Sequence, residues 1–199
     1  MAGKSKESVL HRAIFVAMAV FCSGLYAADA PGPVTFNTYT YDVHGGTVFD
    51  IENELHDKSP LVVHGRHMHG KTHWEIHYHY HWKMDGDQCV LDEFDATLNV
   101  DTFLPQWVRP QHPNPMLAHD WDRYIAALRM HERGHAEVGE DAREVLVTRA
   151  KAMGPAPTCD VIKKQVIDLV AEVVDAHRKV DAMYDDKTDH GRTQGAHFP

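Results

Sequence analysis

Hydrophobic and polar residues alternate from Val34 to Val43, in a stretch rich in threonine and aromatic side chains. A period of two in such residues predicts a strand. Gly45-Gly46 then turns the chain. Val48, Ile51 and Leu55 recur at helical spacing, which predicts a short helix over 47–55 with Thr47 as its cap. Lys58-Ser59-Pro60 reads as a loop. Two further alternating runs, 72–83 and 89–100, flank the turn Asp85-Gly86-Asp87 and predict an antiparallel hairpin. From Leu104-Pro105-Gln106-Trp107 onward the pattern predicts an irregular linker, punctuated by Pro110, Pro113 and Pro115.

The period then lengthens. Asn114-Pro115 is a helix start, with asparagine as cap and proline at the first helical position, and Gly154-Pro155 is a stop. Between them Trp121, Tyr124, Ile125, Leu128, Val138, Val145 and Leu146 form an apolar stripe. A second helix is predicted over 160–183, with a stripe of Ile162, Val166, Leu169, Val173, Val180 and Tyr184 that also holds His177. The polar, glycine-punctuated segment 185–195 reads as a loop or tail. These elements predict an α+β fold, a small antiparallel sheet packed with a pair of long helices, in a single domain over 31–199.

Residues 1–30 stand apart. Lys4, Lys6 and Arg12 precede an apolar run too short to span a bilayer stably, and small residues follow at Ala27-Ala28-Asp29-Ala30. This is the pattern of a secretory signal peptide, cut after Ala27 or Ala30, so a periplasmic or secreted protein with no stable membrane span is expected. The mature chain then keeps two cysteines, Cys89 and Cys159, and export favours a disulfide between them. The net charge of −9 argues against nucleic acid as a partner.

The chemistry lies in His131-Glu132-Arg133-Gly134-His135, an H-E-x-x-H pattern. Residues four apart on a helix share a face, so two imidazoles can grip one zinc ion while the glutamate takes a proton from water. The chain has 17 histidines in 199 residues, which raises the rate of chance matches. Yet His131 and His135 fall on the apolar stripe, where a buried ring needs partners. Two core histidines bonded to backbone carbonyls are the bland alternative. A catalytic zinc site takes three protein ligands. Glu172 shares the polar side of the second helix with Gln165, Asp168 and Asp175, which disfavours it. His177 reads as a satisfied core histidine. His190, in a segment with turn residues and no core, is the preferred third ligand, and Asp185 is the second candidate.

Several residues make a wider set: Tyr41-Asp42-Val43 with Gly45, Trp74, Cys89, Leu104-Pro105 with Trp107, and Trp121, Tyr124 and Leu128 ahead of the histidines. Tyr184-Asp185-x-x-Thr188-x-His190-Gly191 with Gln194-Gly195 completes it. On these the chain resembles the bacterial predicted secreted zinc-dependent proteases, catalogued as domain of unknown function 922. The resemblance implies a zinc site served by His190 or Asp185. The expected protein is a zinc peptidase acting on peptide or protein substrates of the cell envelope. His131, His135 and His190 would hold Zn2+, Glu132 would be the general base, and Tyr184 would steady the oxyanion. A non-catalytic zinc-binding or buffering protein is the alternative. It is motivated by a density of histidines that departs from the family: His64, His67, His69, His73, His77, His79 and His81. In the strand, Trp74, Ile76, Tyr78, Tyr80 and Trp82 take one face; His73, Glu75, His77, His79 and His81 take the other, which is either solvated or a secondary metal or pH-sensing surface.

Overall fold

Strand β1 (Val34–Val43) lies along one side of β5 (Gln88–Trp107), and β4 (Lys71–Asp85) lies along the other. Between β1 and β4 the chain forms helix α1 (Val48–Asp57) and a two-stranded pair, β2 (Val62–Val63) with β3 (Arg66–His67). After β5 come two long helices, α2 (Pro115–Lys151) and α3 (Cys159–Thr188), and a 3-10 turn at Arg192–Gln194. The structure is a computed structural model that describes residues 34–63 and 65–199, forming part of one compact unit, Pro31–Pro199. The expected signal peptide falls outside the described residues, as does His64.

The fold is α+β, but the sheet is mixed rather than antiparallel. β4 and β5 form the expected antiparallel hairpin, whereas β1 runs parallel to β5. Alternation reports which face a side chain takes; it carries no information on a neighbouring strand's direction. The passage through α1 and the β2–β3 pair lets β1 take the far side of β5. A second correction concerns 104–107, which belong to β5 instead of a linker. The last β4 pair is Lys71 with Phe103, so beyond it β5 is paired with β1 alone. A proline, which has no N–H for a ladder, is tolerated in such a one-sided stretch, and Pro105 sits there opposite Tyr41.

Helix α1 opens with a capping box: Thr47 Oγ1 accepts from Asp50 N at 3.2 Å, and Asp50 Oδ2 accepts from Thr47 N at 3.1 Å. At the head of α2, Asn114 Oδ1 accepts from Met116 N at 2.9 Å, with Pro115 first in the helix, as the sequence predicts. Helix α3 corrects a third expectation. It continues past 183 to Thr188 and stops where Asp189 and His190 take left-handed backbone, φ 50 and 49. So Asp185 belongs to its final turn rather than to a loop. With α1 counted, three α-helices stand in place of a pair.

The inner face of the sheet carries Trp74, Phe94, Ala96, Leu98 and Val100, and these pack against Ala136, Ala142 and Leu146 of α2 and Val166, Leu169 and Val173 of α3. A second core joins α1, the end of β5 and the first half of α2, and takes in Phe198 from the C-terminus. Its ring meets Trp121 and Tyr124 edge-on at 5.8 and 5.5 Å. The tail is thereby pinned back over α2. The opposite end is tied by the disulfide Cys89–Cys159, beside reciprocal 2.8 Å backbone bonds between Cys89 and Ala156. The bridged residues are 70 apart in sequence. Replacing both cysteines by alanine is expected to lower stability by roughly 4 kcal/mol, the loop-closure value for that separation. Urea unfolding measures it, and an unchanged midpoint would remove the bridge from the stability of the fold.

Candidate functional site

Helices α2 and α3 run antiparallel, as the contacts Arg149–Glu172, Asp141–His177 and His135–Asp181 record. Glu172 is therefore spent on a surface pair with Arg149, at 2.9 and 3.0 Å. His177 is satisfied by the Val173 carbonyl at 2.7 Å and by Asp141 at 3.1 Å. One end of the helix pair brings His131, Glu132 and His135 of α2 against Asp181, Tyr184 and Asp185 of α3. His131 and Glu132 are each 3 % exposed and His135 6 %.

Three donor atoms converge. His131 Nε2 and His135 Nε2 lie 3.2 Å apart, and Asp185 Oδ1 lies 3.2 Å from the first and 3.0 Å from the second. Donors around a tetrahedral zinc with bonds of about 2.0–2.2 Å stand roughly 3.3–3.6 Å apart. The observed triangle is within a few tenths of an ångström of the lower figure. Among the described residues, these are the three donor atoms that already stand within 4.8 Å of one another, close enough to share a single ion. The far nitrogens are engaged outward: His135 Nδ1 meets Asp181 Oδ1 at 2.8 Å, and His131 Nδ1 meets Gln194 Oε1 at 3.0 Å. Acceptors at both Nδ1 positions favour the tautomer with the proton there, which turns both Nε2 lone pairs inward. Three inward lone pairs repel one another unless a proton or a cation sits among them.

The electrostatics agree. Burial lowers the basicity of His135, but the carboxylates of Asp181 and Asp185 outweigh it and push its pKa up to about 10. Burial raises the Asp185 carboxyl, and the hydrogen-bonded imidazoles of His131 and His135 reverse this and hold it well below the usual carboxylate range. The site is thus built for positive charge. Glu132 is pushed the other way: burial raises its pKa, against smaller lowering contributions from Thr72 and the imidazoles. A raised pKa makes the carboxylate form a stronger proton acceptor.

Two buried atoms here have no hydrogen-bond partner, Glu132 Oε2 and His190 Nδ1. Both residues line a cavity of about 550 Å³, along with His131, His135 and Asp185. His190 Nδ1 lies 3.5 Å from Asp185 Oδ2, at the edge of the three-donor group. Its left-handed backbone is an uncommon state for a non-glycine residue and marks a held conformation.

Tyr184 stacks on His131 with ring centroids 5.1 Å apart and meets His135 edge-on at 5.0 Å. Its hydroxyl donates to the His131 carbonyl at 3.3 Å and accepts from Gln194 Nε2 at 3.1 Å. Glycine is required on both sides of this packing. A Cβ at Gly134 would overlap Tyr184 Oη and Cζ and come within 2.8 Å of Cε1. At Gly191, with φ 82, it would come within 2.7 Å of His131 Cγ. Asp181 and Gln194 were missed as functional residues by sequence reasoning. A signal existed for each: Asp181 precedes Asp185 by one helical turn, and Gln194 belongs to the tail pattern.

An α+β protein with a buried histidine–carboxylate cluster opening on a cavity is thus defined. The chain belongs to the family described as "Bacterial protein of unknown function (DUF922)", which matches residues 38–191. That span runs from β1 through Gly191 and contains every donor of the cluster. No curated protein and no solved structure matches the chain.

Alanine in an open helix is favoured over glycine by about 1 kcal/mol. At Gly134 the overlap with Tyr184 outweighs this, so Gly134→Ala is expected to lose about 1–3 kcal/mol, as overpacking does. Thermal and urea unfolding measure it; a more stable variant would show that Tyr184 does not press on α2.

Proposed function

We propose that the protein is a zinc-dependent peptidase of the periplasm or the secreted fraction, acting on peptide or protein substrates of the cell envelope. The observation that carries this reading is the pairing of a three-donor group with a buried carboxylate, Glu132, that has no partner for Oε2 and faces the same cavity. His131, His135 and Asp185 would hold the ion, with the orphaned Nδ1 of His190 beside them. Zinc bound there supplies a Lewis acid that polarises a carbonyl and acidifies water.

The chain's own residues do the rest. Glu132 accepts a proton from the attacking water and returns it to the leaving amine. Asp181 and Gln194 hold the imidazoles in the tautomer that directs Nε2 inward. Tyr184 is better read as a positioning residue than as the oxyanion donor, because its hydroxyl is spent on the His131 carbonyl and Gln194. A buffering protein has use for the donors but none for a buried glutamate next to them whose Oε2 has no partner, and this favours catalysis. The disulfide is compatible with an oxidising compartment. Among the described residues no helix is long and apolar enough to cross a membrane.

Glu132→Gln is expected to keep the metal and lose roughly 100-fold or more in peptide hydrolysis, the range for general acid–base catalysis. Cleavage of a peptide library by the mature protein and the variant is the assay; equal rates would remove Glu132 from the reaction, and no cleavage by either would remove the peptidase. Metal content separates the candidate ligands. Asp185→Ala should abolish tight zinc retention, while Asp181→Ala should weaken it about 10–100-fold, as loss of an imidazole's outer partner does. A His190→Ala variant that loses zinc as completely as Asp185→Ala would make His190 a full ligand.

A further inference from the structure

The outer face of the sheet carries chemistry that the buried cluster does not use. His73, Glu75, His77, His79 and His81 all point away from the helices and are exposed. The strand register sets carboxylates opposite them: Asp101 across from His73, Asp95 across from His79 and Glu93 across from His81. His77 stands opposite Thr97, with Nε2 3.6 Å from Glu75 Oε2. Residues directly opposite in an antiparallel pair have Cβ atoms about 4.5–5.5 Å apart, and same-face neighbours along a strand are roughly 6.6 Å apart. Side chains as long as histidine and aspartate can close both separations onto one ion, so His79 and one same-face neighbour can share it with the carboxylates opposite; His77 and His81, about 13 Å apart along the strand, cannot both join.

The residue types point the same way. β4 is an edge strand, and edge strands are ordinarily protected by full charges, lysine above all. β4 sets imidazoles where such charges would stand. Consecutive outward imidazoles backed by carboxylates form instead a nitrogen-and-oxygen donor set of the kind that zinc and copper(II) prefer over magnesium or calcium. We propose that His79 and His81, with Asp95 and Glu93 opposite them, form an exposed second site for a divalent transition-metal ion, where His77 can take the place of His81. It shares no residue with the buried cluster and lies on the opposite face of the sheet, so it stands whether or not the protein is a peptidase.

Zinc titration by calorimetry on the mature protein tests this, with three variants beside the wild type. His77→Gln/His79→Gln/His81→Gln should lose one weaker zinc equivalent, or at least tenfold in its affinity. His131→Ala/Asp185→Ala should retain that equivalent. Because a triple change in one strand can unsettle the hairpin, Glu93→Gln/Asp95→Asn provides a milder variant, with the same equivalent weakened several-fold. Copper(II) bound to the His131→Ala/Asp185→Ala protein should show nitrogen hyperfine splitting that the β4 changes reduce. The proposal is overturned if the triple variant binds zinc as the wild type does. It is also overturned if replacing the exposed His44, His112 and His119 by glutamine has an equal effect, which would indicate scattered surface histidines only.

Discussion

Two imidazole nitrogens and a carboxylate oxygen, each facing the others across about 3 Å, cannot turn lone pairs on one another unless a proton or a cation sits among them. Most of the second half of the chain answers to that constraint. Helix α2 offers the imidazoles from one face, and the last turns of α3 offer Asp181 and Asp185. The tail returns Gln194 to the outer nitrogen of His131 and His190 to the edge of Asp185. Helix ends are usually polar because water satisfies them. Here a helix end is polar because its side chains complete a charged cluster.

The rest of the fold holds this cluster at one end of a rigid layer. Small residues on α2, Ala136, Ala142 and Ala150, let the helix lie close on the sheet, where Trp74 and Phe94 fill the space between. Further toward its start α2 turns large residues, Trp121, Tyr124 and Leu128, into a second core that also grips Phe198. Phe198 closely follows the tail segment that carries His190 and Gln194, so burying it keeps them in place. The disulfide secures the far end of the helix pair, away from the cavity. Packing thus pre-positions the donors, which is what a metal site or a catalytic site needs from its scaffold.

The faces of elements were legible in the chain. Inward Trp74 and outward histidines on β4, Asn114 and Pro115 at the head of α2, and Thr47 capping α1 all follow from periodicity and local hydrogen bonding. The extension of α3 was not. Its buried apolar stripe stops at Val173: Val180, expected on that stripe, is 49 % exposed, and His177, Asp181, Tyr184 and Asp185 continue the inward face with groups whose partners come from α2. Pro105 was misread for a related reason: a proline argues against a strand unless one side of that strand is unpaired, and pairing is a property of two segments. Asp181 and Gln194 have no meaning in isolation; each matters through the imidazole nitrogen it meets.

Spacing along one segment is a one-dimensional quantity, so the chain alone carried the helices, the hairpin, the cysteine pair and the two histidines one turn apart. Which distant group would join those histidines, and which way β1 would run, depends on how segments lie side by side. That arrangement is chosen by burial summed over the whole core. No local pattern encodes the sum, and so the grouping of Asp185 with His131 and His135 emerged only from the packed molecule.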